Sequence, residues 1–147
     1  MKELYNSGEK EKAFLTTVDK LREEKSPVER SSLASFASKM LFEAGKFEKA
    51  LEYALEARNQ ARLADDYIAF CKAAISIGRI HFRQGRLREA EQAWHEALSL
   101  VVIFGNRKLH GRILLNLSIL DQRRGNHVRA LDILEKARLM LQEENDL

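Results

Sequence analysis

The chain has 147 residues, with 25 Lys and Arg against 22 Asp and Glu, a formal net charge of +3 and a pI near 9.1. One domain is the natural expectation at this length, and 45% hydrophobic with 32% charged residues suits a helical globular chain rather than a disordered or membrane-spanning one. No unbroken apolar run is longer than Leu100–Phe104, residues 1–12 show no apolar signal stretch after Lys2, and the lone Cys71 excludes an internal disulfide. A cytoplasmic protein is expected.

In chain order, the apolar residues Ala13, Phe14, Leu15, Val18 and Leu21 predict a first helix over about Glu9–Glu24, entered through a turn at Gly8. Ser26-Pro27-Val28-Glu29 predicts the start of the next, with Ser26 as cap, Pro27 at the first helical position and Glu29 closing a capping box. That helix is expected to reach about Ala44, and its partner to cover Phe47–Ala64. Asp65-Asp66 reads as a short capped link rather than as a catalytic carboxylate pair. Two more pairs follow, at about Tyr67–Gln84 with Leu87–Phe104 and Arg107–Arg124 with His127–Glu144. The apolar cluster from Leu98 to Phe104 is wider than one stripe and is expected to pack under the adjacent repeat.

A single frame underlies these pairs. It consists of a glycine, an alanine five positions later, and further apolar or small residues four and seven beyond that. Gly85, Ala90, Trp94 and Ala97 fit it, as do Gly45, Ala50, Ala54 and Ala57, and Gly125, Ala130, Leu134 and Ala137. The three glycines are evenly spaced, with a period of about 40 residues that falls in the range of stacked helical arrays. Spacings of three, four and seven place the apolar residues on one stripe, and glycine permits the left-handed turn between helices. A less complete copy at Gly8 and Ala13 reads as a divergent terminal unit.

The pattern resembles the tetratricopeptide repeat in a long form of ~40 residues, against about 34 in the usual repeat. The resemblance covers roughly residues 27–142. It departs where the early aromatic of each repeat is Ala34, Ala74 or Leu114, and where the closing proline is absent. It implies an all-α fold, a right-handed α-solenoid of antiparallel helix pairs with about seven helices. Residues 1–26 would form a degenerate N-terminal half-repeat, and 27–64, 65–104 and 106–144 three pairs within one continuous domain spanning 27–147. It also implies a non-catalytic protein-interaction scaffold whose first helices line a concave groove. Carried over position by position, that groove takes Phe36, Lys39, Phe42, Lys72, Ile75, Arg79, Phe82, Arg83, Arg112, Asn116, Ile119 and Arg123. The lysine and asparagine set that clamps C-terminal carboxylates in the family is not matched, since Ser35, Lys39 and Ser76 stand at most of its places.

Charge points to the same surface independently. Residues 67–86 carry Lys72, Arg79, Arg83 and Arg86 and no acid, and residues 106–124 carry five basic residues against Asp121. Residues 47–66 run the other way, with five acids against three bases. Arginine favours carboxylates through its planar fork, so the expected partner is a protein or peptide, acidic and with apolar anchors for the phenylalanines. A homodimer or continuation face is expected on the last helix at Leu131, Leu134, Leu139 and Met140, which no later helix in this sequence covers. The alternative readings are a sensor or oligomerisation part of a bacterial-type transcription regulator or signalling protein, and a nucleic-acid binder. The second is disfavoured by the absence of a lysine-rich tail or recognised motif.

No cofactor, metal or membrane association is expected. His81, His95, His110 and His127 are spread along the chain, and no two of them have the close spacing of a helical metal site. No phosphate loop, nucleophile elbow or paired-carboxylate motif occurs, so the chain is not expected to be an enzyme.

Overall fold

Left-handed backbone recurs at even intervals, at Gly45, Asp65, Gly85, Gly105 and Gly125, with φ of 77°, 54°, 78°, 72° and 83°. Each position lies in the short link between the end of one helix and the start of the next. In this computed structural model the backbone is described for residues 2–145 and the side chains for residues 8–142; the ends of the expected terminal segments, residues 1, 146 and 147, lie outside the described residues. The described residues hold seven helices and no strand: α1 (Lys2–Glu23), α2 (Pro27–Glu43), α3 (Phe47–Leu63), α4 (Tyr67–Arg83), α5 (Leu87–Phe104), α6 (Arg107–Arg123) and α7 (His127–Asn145). From α2 onward the helix starts are evenly spaced, at Pro27, Phe47, Tyr67, Leu87, Arg107 and His127, so the helix pairs repeat with a constant period. Among the described residues no helix is long and apolar enough to cross a membrane.

Two expectations at the N-terminal end are corrected. α1 runs through Gly8 rather than starting after it. An interior glycine costs about 1 kcal/mol relative to alanine, but the good helix formers Glu9 to Ala13 follow directly, so the helix continues. Ser26 does occupy the N-cap of α2 with Pro27 behind it, yet its hydroxyl makes no cap hydrogen bond. The Ser26 backbone N–H instead donates to Glu24 Oε1 at 3.0 Å, so Glu24 takes the role expected of Glu29. The Asp65-Asp66 link behaves as read, with the Ala69 N–H donating to Asp66 Oδ1 at 3.0 Å. Asn106 caps α6 in the same way, accepting from the Leu109 N–H at 3.0 Å.

The chain divides into two compact units, Met1–Ala73 and Ala74–Leu147, with the division inside α4. In the first unit, α2 packs on α3 through small residues. Ala34 and Ala37 are buried on α2, and Ala50, Ala54, Ala57 and Ala61 on α3. The close approach lets two buried hydroxyls cross between the helices, Ser31 Oγ to the Ala57 carbonyl at 3.0 Å and Ser38 Oγ to the Ala50 carbonyl at 2.7 Å. Leu21 of α1 joins Ala34, Ala57 and Ala73 in this core. Arg30 ties down the end of α1 by donating to the Leu21 and Glu24 carbonyls at 2.9 and 2.8 Å, and it pairs with Glu56 of α3 at 2.9 Å. Carbonyls of a last helical turn lack intrahelical partners, so this arginine serves as a C-cap supplied by the next helix.

The second unit has a bulkier core. Trp94, Ile75, Ile80, Ile113, Leu120 and Val101 are its largest fully buried side chains. The Trp94 indole N–H donates to the Ile75 carbonyl at 3.1 Å, tying α5 to α4. At the far end of α5 the expected packing of the apolar cluster is only partly met. Val101 is buried, but Val102, Ile103 and Phe104 are 59%, 74% and 50% exposed.

Candidate peptide-binding face

In the second unit the candidate site is built on α4 and α6. The α4 C-terminus is closed by two backbone bonds, Gly85 N–H to the Phe82 carbonyl at 3.0 Å and Arg86 N–H to the His81 carbonyl at 2.8 Å. This double closure around a left-handed glycine is a Schellman-type cap, and it fixes where the last turn of α4 presents its side chains. Ala74, Ile75, Ile77, Gly78 and Ile80 are buried, so α4 is covered on most of its circumference. Arg79 and Arg83, one turn apart, emerge along its exposed strip.

α6 brings a second strip. Arg112 and Asn116 are half-buried, Ile119 is 42% exposed and Arg123 is exposed. The two strips meet where the Arg123 guanidinium lies over the Phe82 ring, 5.3 Å from its centroid. Phe82 is half-buried, and its ring also packs on Trp94 with centroids 6.0 Å apart. The aromatic thereby contacts both the buried Trp94 and the exposed Arg123. A cation over a ring face is attractive, so the contact holds Arg123 across the junction of the two helices.

The other charges of α6 are arranged so that this strip stays basic. Asp121, the acid within α6, is buried and pairs with Arg129 of α7 at 3.4 Å. Arg124, just past the helix, pairs with Glu91 of α5. Two histidines lie on these helices, His81 on α4 and His110 on α6. Burial, then the Arg86 charge, holds the His81 imidazole below its ordinary range, with Glu89 pulling the other way. Burial, then Arg107, lowers His110 similarly.

Ile75 departs from its expected place. Its side chain is 1% exposed, so it belongs to the core and does not line a binding surface. The helical period places it beside Arg79, but α4 buries a wider arc than a two-sided helix would. In the first unit, Phe36 is 49% exposed and Lys39 and Lys72 are exposed. Phe42 is half-buried and meets Phe47 edge-on at 5.6 Å. On α7, Leu131, Leu134 and Leu139 are exposed and Met140 is half-buried. Sequence reasoning missed a cleft of about 310 Å³ in the first unit, lined by Val18, Leu21, Arg22, Arg30, Glu52, Tyr53 and Glu56. Its residues come from three helices, and no spacing in the sequence announces them.

The model of the tetratricopeptide repeat family matches residues 69–143, a little over half of the chain. The chain belongs to the tetratricopeptide repeat family. Tetratricopeptide repeat proteins are protein-interaction scaffolds and generally have no catalytic role. No curated protein matches the sequence. Among solved structures, BtubC (BKLC) from P. vanneervenii is similar at 17% identity, with a TM-score of 0.82 over 95% of this chain and 58% of that one. RapI in its apo form is similar at 16% identity, with a TM-score of 0.85 over 97% of this chain and 53% of that one. The chain therefore spans a little over half the length of both. At such identities the likeness is one of tetratricopeptide-type helical fold.

Proposed function

We propose that this chain is a non-catalytic scaffold whose second unit holds an acidic or amphipathic peptide segment against the α4 and α6 strips. Arg79, Arg83 and Arg123 would engage carboxylates, Asn116 the peptide backbone, and Ile119 with half-buried Phe82 an apolar anchor. The observation that carries this reading is the Arg123–Phe82 contact at 5.3 Å, which sets an arginine and an aromatic side by side on adjoining helices. The pairing of Asp121 with Arg129 supports it, because it draws the acid of α6 away from the strip. Arginine and aromatic residues are enriched among the side chains that dominate binding energy at interfaces.

The test compares wild-type chain with a variant carrying Arg79, Arg83 and Arg123 changed to Glu, its helicity verified by circular dichroism. Fluorescence anisotropy is followed with a labelled synthetic peptide alternating Glu with Leu and Phe, and with the same peptide carrying Lys in place of Glu. Saturable binding of the acidic peptide by wild type, lost in the folded variant and absent for the basic peptide, is the expected result. Equal behaviour of the two proteins would sink the proposal.

A further inference from the structure

The cleft of the first unit has its donors committed and its acceptors open. α2 lines it with Arg30, whose Nη1 donates to the Leu21 and Glu24 carbonyls and whose Nη2 donates to Glu56 Oε1. α1 adds Arg22, an exposed side chain 4.0 Å from Asp19 on the same helix. α3 adds Glu52, Tyr53 and Glu56. Neither the Glu52 carboxylate nor the Tyr53 hydroxyl has a hydrogen bond or ion pair among the described residues. On Glu56, the bonds from Arg30 and Gln60 both end on Oε1, so Oε2 has none among the described residues. Apolar surface comes from Val18, half-buried, and Leu21, buried.

The repeat frame does not call for this set. One repeat on, Gln92, Ala93 and Glu96 stand at the places of Glu52, Tyr53 and Glu56, and two repeats on, Asp132, Ile133 and Lys136 do. Phe70 and His110 stand at the place of Arg30. No other repeat joins two carboxylates four positions apart to an aromatic hydroxyl. Like charges so spaced on a helix repel. Arg30 offsets one of them, and nothing among the described residues offsets Glu52.

We propose that this cleft is a binding site for an arginine side chain of a partner protein. The guanidinium carries several donors in one plane and no acceptor, which suits the Glu52 carboxylate, Glu56 Oε2 and the Tyr53 hydroxyl. Its charge is attracted by an aromatic ring as well as by carboxylates. The aliphatic stem finds Val18 and Leu21. An acidic side chain would meet Glu52 and Glu56 and find the Arg30 donors already taken. The site belongs to the first unit and does not rest on the peptide-binding proposal.

The test titrates the isotope-labelled full chain with N-acetyl-arginine N-methylamide and follows amide correlation spectra. Saturable shifts at the amides of Val18, Leu21, Glu52 and Tyr53 are expected, with a dissociation constant on the order of millimolar, as suits a single side chain. The norleucine and glutamate counterparts of the probe should leave those amides in place. Glu52→Gln should weaken binding about three- to five-fold, the scale of one exposed ion pair, without lowering the thermal midpoint. Absence of saturable shifts at the cleft overturns the proposal. So do equal shifts with the norleucine or the glutamate probe, or unchanged arginine binding by the folded Glu52→Gln variant.

Discussion

Gly78 lies directly against the face of Trp94: a Cβ placed on residue 78 would run into Nε1 of the indole and stand 2.5 Å from Cδ1 and 2.6 Å from Cε2. The same two places hold Ser38 with Ala54 and Ser118 with Leu134 in the other helix pairs. The largest side chain of the chain is therefore matched to the smallest residue across the helix interface. Gly78→Ala gains about 1 kcal/mol of helix propensity but forces a rigid, buried indole to move, and overpacking of this kind typically costs about 1–3 kcal/mol. Urea unfolding should show a net loss of stability. In a Trp94→Leu background the same change should instead stabilise by up to about 1 kcal/mol, because only the propensity gain remains. A loss of equal size in both backgrounds would refute the pairing.

Asp65 is the non-glycine among the five left-handed turn positions, at φ 54°. L-residues are disfavoured in this conformation, aspartate less than most. Asp65→Gly should therefore raise stability by about 0.5–1 kcal/mol, whereas Gly85→Ala at φ 78° should lower it by about 1–2 kcal/mol. Thermal melts of the two variants check the opposite signs.

Asp66 and Asn106 each accept a backbone N–H three positions ahead at 3.0 Å. Removing either carboxylate or carboxamide as Asp66→Ala or Asn106→Ala should cost about 1 kcal/mol, the usual value of an N-cap. Ser26→Ala should cost less than either, since the Ser26 hydroxyl makes no cap bond. Denaturant midpoints of the three single variants provide the ranking.

Two histidines give the fold an acid-side weakness. His81 and His110 both have their pKa lowered from 6.5 in the folded chain. The unfolded chain then binds more protons than the folded one below that value, so stability falls as pH drops through about 6.5 toward the folded-state pKa, and levels off beneath it. Well above 6.5 both imidazoles are neutral in either state and contribute no slope. At His81, moreover, Nδ1 has no hydrogen-bonding partner among the described residues. His81→Gln should flatten the decline measured by urea unfolding between pH 7 and pH 5. An unchanged profile would assign the decline elsewhere.

Helix limits were readable from the chain because glycine, aspartate and proline punctuate it at regular intervals, and from α2 onward the helices end within about a residue of the positions the sequence predicts. The exception, Gly8, matches the repeat frame but is held inside α1, where continuing the helix is cheaper than a turn. Site residues were harder. Arg79 and Arg83 followed from period and charge, but Ile75 shares their spacing and is core, since burial of α4 on several sides is not encoded in the spacing of one helix. The Arg123–Phe82 contact joins residues far apart in sequence, and Arg30 reaches carbonyls that precede it by six and nine positions. Such relationships arise only once neighbouring helices are in place.

The even step of the left-handed turns makes length in this chain come in quanta. A segment cut at two turns one full repeat apart, such as Gly45 and Gly85, begins and ends in the same backbone conformation. Duplicating or excising such a cassette preserves the phase of every helix that follows. Loss of a single residue within a helix does not, because it rotates all later side chains by about 100°. Whole modules gained or lost therefore keep the helical phase that a residue gained or lost inside a helix would break.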